Sequence, residues 1–149
     1  MKSSQQEHEL PLALRAAYMA LHRNTEAKFA THGVTADQFV LMLAVDENRS
    51  LTQRELAKRI SSDPSTVRAM LVLLERNGLI RRDAHPNDLR AKTVELTASG
   101  KRKLRKLWKV GQSIRDDMYG AMSPEETTIL IRLLRCVSES LYLENAVSR

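Results

Sequence analysis

Apolar side chains recur every three or four residues along most of the chain and alternate only in one stretch near its middle. Over residues 9–31 this spacing predicts a long amphipathic helix, which Gly33 would end. The same spacing predicts further helices near residues 36–47, 98–119 and 123–145. The chain is therefore expected to be mainly helical.

Two short helices are predicted in the middle of the chain, each with its own start signal. Thr52 and Glu55 have the spacing of a capping box. Asp63 and Pro64 suit an N-cap residue followed by a proline in the first turn. Gly78 suits a left-handed end to the second helix. Two short helices joined by a tight turn predict a helix-turn-helix.

The spacing changes from helical to alternating directly after Gly78. Residues 79–82 and 93–96 are strand-like, and a polar loop that contains His85 joins them. This pattern predicts a β hairpin, which would form a wing beside the helix-turn-helix. Thr97 would then cap the next helix.

Composition narrows the class of protein. The 149 residues, 42% hydrophobic and 28% charged, fit one folded domain with attached helices and are too few for a TIM barrel. No apolar run approaches the ~18 residues of a membrane span, and one cysteine cannot form an internal disulfide, so we expect a protein of the reducing cytoplasm. Cys136, the single cysteine, lies in an apolar helical stretch, so we expect a small buried hydrophobe rather than a redox sensor.

Candidate catalytic and metal-binding patterns are missing from the sequence. The four histidines are scattered, so we expect no metal site. We find no Ser-His-Asp order, no phosphate-binding glycine loop and no paired catalytic carboxylates, which argues against an enzyme.

Positive charge is concentrated in one internal block. Residues 51–110 hold 15 Lys and Arg against 6 Asp and Glu, a net charge of +9, whereas the rest of the chain has a net charge of −3. A basic block favours a polyanion partner, although a solvated helix face has the same composition. Because the block coincides with the predicted helix-turn-helix and wing, DNA is the partner that it favours.

The sequence resembles the MarR family of bacterial winged helix-turn-helix regulators. The resemblance is carried by LTQRELAKRI (51–60), DPSTVRAMLVLLERNGLIRR (63–82) and DLRAKTVELTASG (88–100). The family pattern at the wing is matched by Asp88, Arg90, Leu96 and Thr97. The resemblance implies a fold that is mainly α with a small β wing. In this fold a winged helix-turn-helix (35–97) is flanked by terminal dimerisation helices (9–34 and 98–145).

The resemblance also implies a homodimer on double-stranded DNA. The second helix would enter the major groove and the wing arginine the minor groove. Ser65, Thr66 and Arg68 would face the major groove, Arg90 the minor groove with Asp88 orienting it, and Arg54, Arg82 and Lys92 would contact phosphates or support the wing.

Some of these residues have a second interpretation. The hydroxyls of Ser65 and Thr66 could simply satisfy first-turn amides. The basic run from Lys101 to Lys109 could contact phosphates at its N-terminal turn or form a solvated face. Both alternatives stay open at the level of sequence.

We expect no cofactor, but a small aromatic or carboxylate effector. The family often holds such an anion between its first two helices and the helix after the wing. The candidates for this site are Arg15, Tyr18, His22, Phe39, Met42 and Trp108. Ordinary packing with exposed polar tips would explain the same residues.

The sequence therefore predicts a sequence-specific, ligand-responsive transcriptional regulator, most simply a repressor that binds a pseudo-palindromic operator. The alternative is a winged-helix module that binds another protein and has only weak, non-specific affinity for DNA. The stretch AMLVLL (69–74) keeps this alternative open, because it is apolar almost all round the predicted recognition helix.

Overall fold

A computed structural model of the chain describes residues 4–47, 51–84, 87 and 92–147. Its elements, in chain order, are α1 (Ser4–Phe29), a 3-10 turn (Ala30–His32), α2 (Ala36–Glu47), α3 (Gln53–Arg59), α4 (Pro64–Arg76), β1 (Ile80–Ala84), β2 (Lys92–Leu96), α5 (Ala98–Val110), α6 (Gln112–Gly120) and α7 (Pro124–Val147). The chain divides into two compact units, Met1–Gly111 and Gln112–Arg149.

The first unit is a winged helix-turn-helix. Helices α3 and α4 form the helix-turn-helix, and β1 and β2 pair antiparallel, with Ile80 opposite Leu96 at the base and Ala84 opposite Lys92 at the far end. The predicted fold class is confirmed. That residues 35–97 bind DNA and that the terminal helices form a dimer both remain predictions.

One hydrophobic core holds the first unit together. It is built from the inward faces of α2, α3, α4 and α5, the inner face of the sheet and the last residue of α1. Burial of each such side chain contributes about 1.5–3 kcal/mol. The largest side chains with almost no exposure are Phe29, Leu41, Met42, Val45, Leu56, Val67, Leu71, Leu74, Val94 and Leu107.

The predicted capping residues start their helices. The Gln38 N–H donates to Thr35 Oγ1 at 3.1 Å, and the Thr35 N–H donates to Gln38 Oε1 at 3.0 Å, which is a complete capping box. At α3 the Glu55 N–H donates to Thr52 Oγ1 at 3.2 Å. There the Glu55 carboxylate instead accepts from the Thr52 hydroxyl at 3.0 Å.

The left-handed residue in the helix-turn-helix is Ser61, with φ 55°. The Ser62 N–H donates to the Ala57 carbonyl at 2.9 Å and the Ser61 N–H to the Lys58 carbonyl at 3.2 Å. This pair of bonds is a Schellman motif, in which glycine usually takes the left-handed position. Gly78 ends α4 in the same way, as predicted, with φ 73°.

The junction between the wing and α5 depends on Gly100 and Thr97. The Thr97 hydroxyl donates to the Gly78 carbonyl at 2.6 Å and accepts from the Gly100 N–H at 3.0 Å. A Cβ on Gly100 would lie only 1.9 Å from the Leu79 carbonyl oxygen. The close approach of α5 to the chain that leaves α4 therefore requires glycine at this position.

Three expectations about the terminal helices need correction. Helix α1 begins at Ser4, ahead of Pro11, rather than near residue 9, since the preceding residues are mostly Gln and Glu, which tolerate a helix well. The helix predicted over 98–119 is interrupted at Gly111, because glycine has a low helix propensity. Cys136 is exposed rather than buried, because most of α7 is uncovered.

Candidate nucleic-acid interface

The exposed face of α4 carries the polar residues predicted to enter the major groove. Ser65, Thr66 and Arg68 are exposed, whereas Val67 and Leu71 on the opposite face are buried in the core. The apolar face fixes the rotation of α4, so its N-terminal turns present short hydroxyls and one long cation to solvent. This is the arrangement that a recognition helix needs.

Asp63 organises the first turn of α4. Its carboxylate accepts from the Thr66 N–H at 2.8 Å, from the Thr66 hydroxyl at 2.6 Å and from the Ser65 hydroxyl at 2.7 Å. These hydrogen bonds, those from Thr66 foremost, hold the pKa of Asp63 far below its usual range. The sequence left open whether the two hydroxyls act locally or on DNA. The structure shows the local role, and their oxygen lone pairs stay available to a partner.

Arg82 is held inside the unit by other side chains. Its guanidinium donates to both carboxylate oxygens of Glu75, at 2.8 and 3.1 Å, and to Gln53 Oε1 at 3.1 Å. Its side chain is only 17% exposed. The hydrogen bonds between Arg82 and Glu75 raise the pKa of Arg82 and lower that of Glu75. Arg82 therefore links β1 to α3 and α4, which makes it a positioning residue for the wing rather than a free phosphate contact.

Glu75 and Gln53 are hydrogen-bond partners of Arg82 that sequence reasoning missed. Glu75 lies near the end of α4 and Gln53 at the start of α3, so neither is a local neighbour of Arg82. No periodic or capping pattern could have paired them, because their meeting depends on how the strand leaves the helix.

Four predicted DNA contacts remain, of which two lie on described elements and two do not. Arg54 is exposed on α3, and Lys92 is exposed at the far end of β2. Arg81 on β1 lies opposite Glu95 on β2 and forms an ion pair with it. Asp88 and Arg90 lie outside the described residues, so their roles stay predictions.

The six predicted effector residues are two aromatic pairs, a buried methionine and an exposed arginine. Tyr18 and His22 stack on α1 with ring centroids 5.7 Å apart, and Tyr18 is 57% exposed. The ring centroids of Phe39 and the half-exposed Trp108 lie 6.4 Å apart. Met42 is fully buried, so a ligand would reach it only if the core moved. Arg15 is exposed on α1.

The described residues form neither a metal-binding cluster nor a membrane-spanning helix. No three or more His, Cys, Asp or Glu side chains converge there in a way that would hold a metal ion. None of the described helices is both long enough and apolar enough to cross a membrane.

Comparison with known proteins points to one family. The MarR family model matches residues 34–92. The chain is 31% identical over 102 residues to the transcriptional regulator HosA of Escherichia coli O111:H-, which covers 68% of this chain and 76% of HosA. It is 30% identical over 135 residues to the HTH-type transcriptional repressor YetL of Bacillus subtilis strain 168, over 89% of this chain and 81% of YetL.

A solved structure shares the same fold. A mutant of MarR from E. coli, complexed with operator DNA, matches with a TM-score of 0.79 at 24% identity. The match covers 92% of this chain and 99% of that one. At this identity the likeness establishes the fold.

Proposed function

This chain belongs to the MarR family of transcriptional regulators, and we propose that it is a cytoplasmic repressor that binds a pseudo-palindromic operator as a homodimer. A small aromatic or anionic ligand would release it from DNA. The observation that carries the proposal is the exposed polar face of α4, with Ser65, Thr66 and Arg68 beside a wing and inside the block of net charge +9.

Each element of the first unit has a role in this proposal. Arg68 is long enough to reach a base edge, and arginine bonds guanine bidentately. Arg54 on α3 and Lys92 on β2 are exposed cations, and phosphate contacts from them would set the register of the protein on the duplex. A regulator of this kind acts by binding, so no catalytic group is assigned.

The role of Arg68 is tested with a matched pair of variants. Arg68→Gln and Arg76→Gln remove one exposed arginine each from the two ends of α4. We measure binding to the DNA that flanks the protein's own gene by fluorescence anisotropy. Arg68→Gln should weaken specific binding about tenfold or more. Arg76→Gln should have a much smaller effect that is the same for all sequences.

Equal effects of the two variants would refute the assignment of Arg68 to base contacts. Weak and sequence-independent binding by the unmodified protein would instead favour the alternative, a winged-helix module for a protein partner. That alternative draws on Leu73, which is 44% exposed on α4.

The proposed homodimer draws support from exposed apolar side chains on the terminal helices. On α7 they include Leu130, Leu133, Leu134 and Leu141, which stay largely exposed within their own unit. On α1 they include Leu10 and Leu12. A large exposed apolar surface marks an interaction site. Sedimentation of the full chain should give a dimer, and Leu133→Glu should shift it towards monomer and weaken operator binding.

The proposed effector site draws support from Arg15, Tyr18 and His22, which offer a cation, a phenol and an imidazole on successive turns of α1. Trp108 is the single tryptophan of the chain, so its fluorescence reports on this region. Benzoate is the probe. It should change Trp108 emission with saturation in the wild type, and Arg15→Gln should weaken that binding. A linear, non-saturating response would contradict the proposal.

A further inference from the structure

An open groove lies on the first unit at the base of the wing. Its volume is about 490 Å³, within the range of small-molecule sites. It is bordered by the 3-10 turn after α1, the residue that follows α4 and the first three turns of α5. Its polar lining consists of His32, Asn77, Ser99, Arg102, Lys103 and Lys106.

The three cations of the groove lie on two successive turns of α5, Arg102 and Lys103 on one and Lys106 on the next. Arg102 and Lys106 are four residues apart, and Lys103 and Lys106 are three apart, so their charges face the same region. Within the described part of the chain, none of the three makes an ion pair. By contrast, Arg59 pairs with Glu47, and Arg82 with Glu75. Like charges at this spacing repel each other, and a bound anion would relieve that repulsion.

The other polar groups of the groove suit an anion as well. Asn77 and Ser99 can donate hydrogen bonds through their amide and hydroxyl groups, and His32 can donate through its ring. No acidic side chain is among the lining residues. The groove therefore combines three positive charges with three neutral donors and no competing carboxylate.

The position of the groove favours a small molecule over the DNA backbone. Asn77 follows the last residue of α4, whereas Ser65 and Thr66 lie in its first turn, about 18 Å away along the helix axis. The groove also borders the base of the hairpin, the end at which Ile80 pairs with Leu96, rather than its far end. The DNA-facing ends of α4 and of the wing are thus remote from the three cations.

We propose that this groove binds a small molecule with two or more negative charges, of the phosphomonoester or diphosphate class. Lys103, Lys106 and Arg102 would neutralise the charge, and Ser99 and Asn77 would orient the phosphate oxygens. The groove shares no lining residue with the predicted aromatic effector site on α1, α2 and Trp108 of α5. Binding here requires no DNA, so it stands or falls independently of the proposed function.

Isothermal titration calorimetry with inorganic pyrophosphate tests the proposal on the full chain at low ionic strength. The variant Lys103→Gln/Lys106→Gln removes two groove cations. The control variant Arg105→Gln/Lys109→Gln removes two exposed cations from the same helix that do not line the groove. We expect one site per chain in the wild type, binding about tenfold or more weaker in the groove variant, and a change within about twofold in the control.

Two further variants make the result independent of folding defects. Lys103→Arg/Lys106→Arg keeps both charges and should retain most of the affinity, whereas the single change Arg102→Gln should lower it. Circular dichroism confirms that each variant is folded. Equal weakening by the groove and control variants would show that diffuse charge alone attracts pyrophosphate, and would overturn the proposal. Absence of saturable binding to the wild type would overturn it as well.

A DNA titration separates the small-molecule phosphate from the backbone phosphate. If the groove contacted the duplex, Lys103→Gln/Lys106→Gln would reduce the slope of log affinity against log salt by about 2, since each lost phosphate contact contributes about 0.9. That outcome would assign the groove to DNA and reject the small-molecule site. An unchanged slope together with lost pyrophosphate binding supports the proposal.

Discussion

Replacing Gly100 by alanine tests the junction that holds the wing against the helix-turn-helix. The new Cβ would lie 1.9 Å from the Leu79 carbonyl oxygen and 2.9 Å from its carbonyl carbon. Real Cβ atoms essentially never come closer than 3.0 Å to another heavy atom, so either the Leu79 carbonyl or α5 must move by about 1 Å. Both belong to backbone, which cannot rotate away as a side chain would.

The loss of unfolding free energy in Gly100→Ala follows from the contacts that this movement disturbs. Overpacking of this kind costs about 1–3 kcal/mol. The Leu79 carbonyl also accepts from the Thr97 N–H at 3.0 Å, a hydrogen bond that contributes about 1 kcal/mol. Alanine in place of glycine regains about 1 kcal/mol of helix propensity. The net loss of unfolding free energy should therefore be about 1–3 kcal/mol.

Urea denaturation followed by circular dichroism measures this loss, with all proteins at one concentration because an oligomer's stability depends on it. Gly120→Ala is the control, since a Cβ there meets no atom within 4 Å and the residue is helical. It should be neutral or slightly stabilising. If Gly100→Ala is as stable as the wild type, the close approach of α5 to Leu79 is wrong.

Three further predictions concern the helix-turn-helix and the wing. Glu75→Gln removes a negative charge, which by charge alone would strengthen DNA binding. We expect weaker binding, similar to that of Arg82→Gln, because Arg82 loses the partner that positions it. Ser61→Gly should raise the unfolding free energy by up to about 1 kcal/mol in urea, because φ 55° suits glycine. Folding lowers the pKa of the Asp63 carboxyl. The carboxylate therefore stabilises the protein at pH values above its ordinary pKa of 3.8, and this stabilisation is lost as the pH falls towards the lowered pKa. The stability difference between wild type and Asp63→Asn should therefore shrink between about pH 5 and about pH 2.

Local signals in the sequence predicted the helix starts and the order of the elements. The partners in the capping box at Thr35 and Gln38 are three residues apart, so the pattern contains the whole interaction. The same holds for Asp63 at the start of α4 and for the left-handed Gly78 at its end. Such features are visible to sequence reasoning because they need no knowledge of the rest of the fold.

Contacts between distant segments could not be predicted in this way. Arg82 was expected to contact phosphates or to support the wing, and the sequence could not choose between them, because Glu75 and Gln53 reach it only through the packing of three elements. The close approach of Gly100 to Leu79 has the same origin. The exposure of Cys136 was missed because an apolar stripe indicates burial without saying which segment covers it, and among the described residues Cys136 is exposed.

Salt-dependent and sequence-selective DNA binding is the property on which the proposed function depends. Fluorescence anisotropy measures it directly, with the duplex that flanks the protein's own gene compared with a shuffled duplex of the same composition at several salt concentrations. We predict binding to the flanking duplex about 10³-fold or more tighter than to the shuffled one, and a steep loss of affinity as salt rises. Equal affinity for the two duplexes at every salt concentration would show that the protein is not a sequence-specific regulator of this DNA.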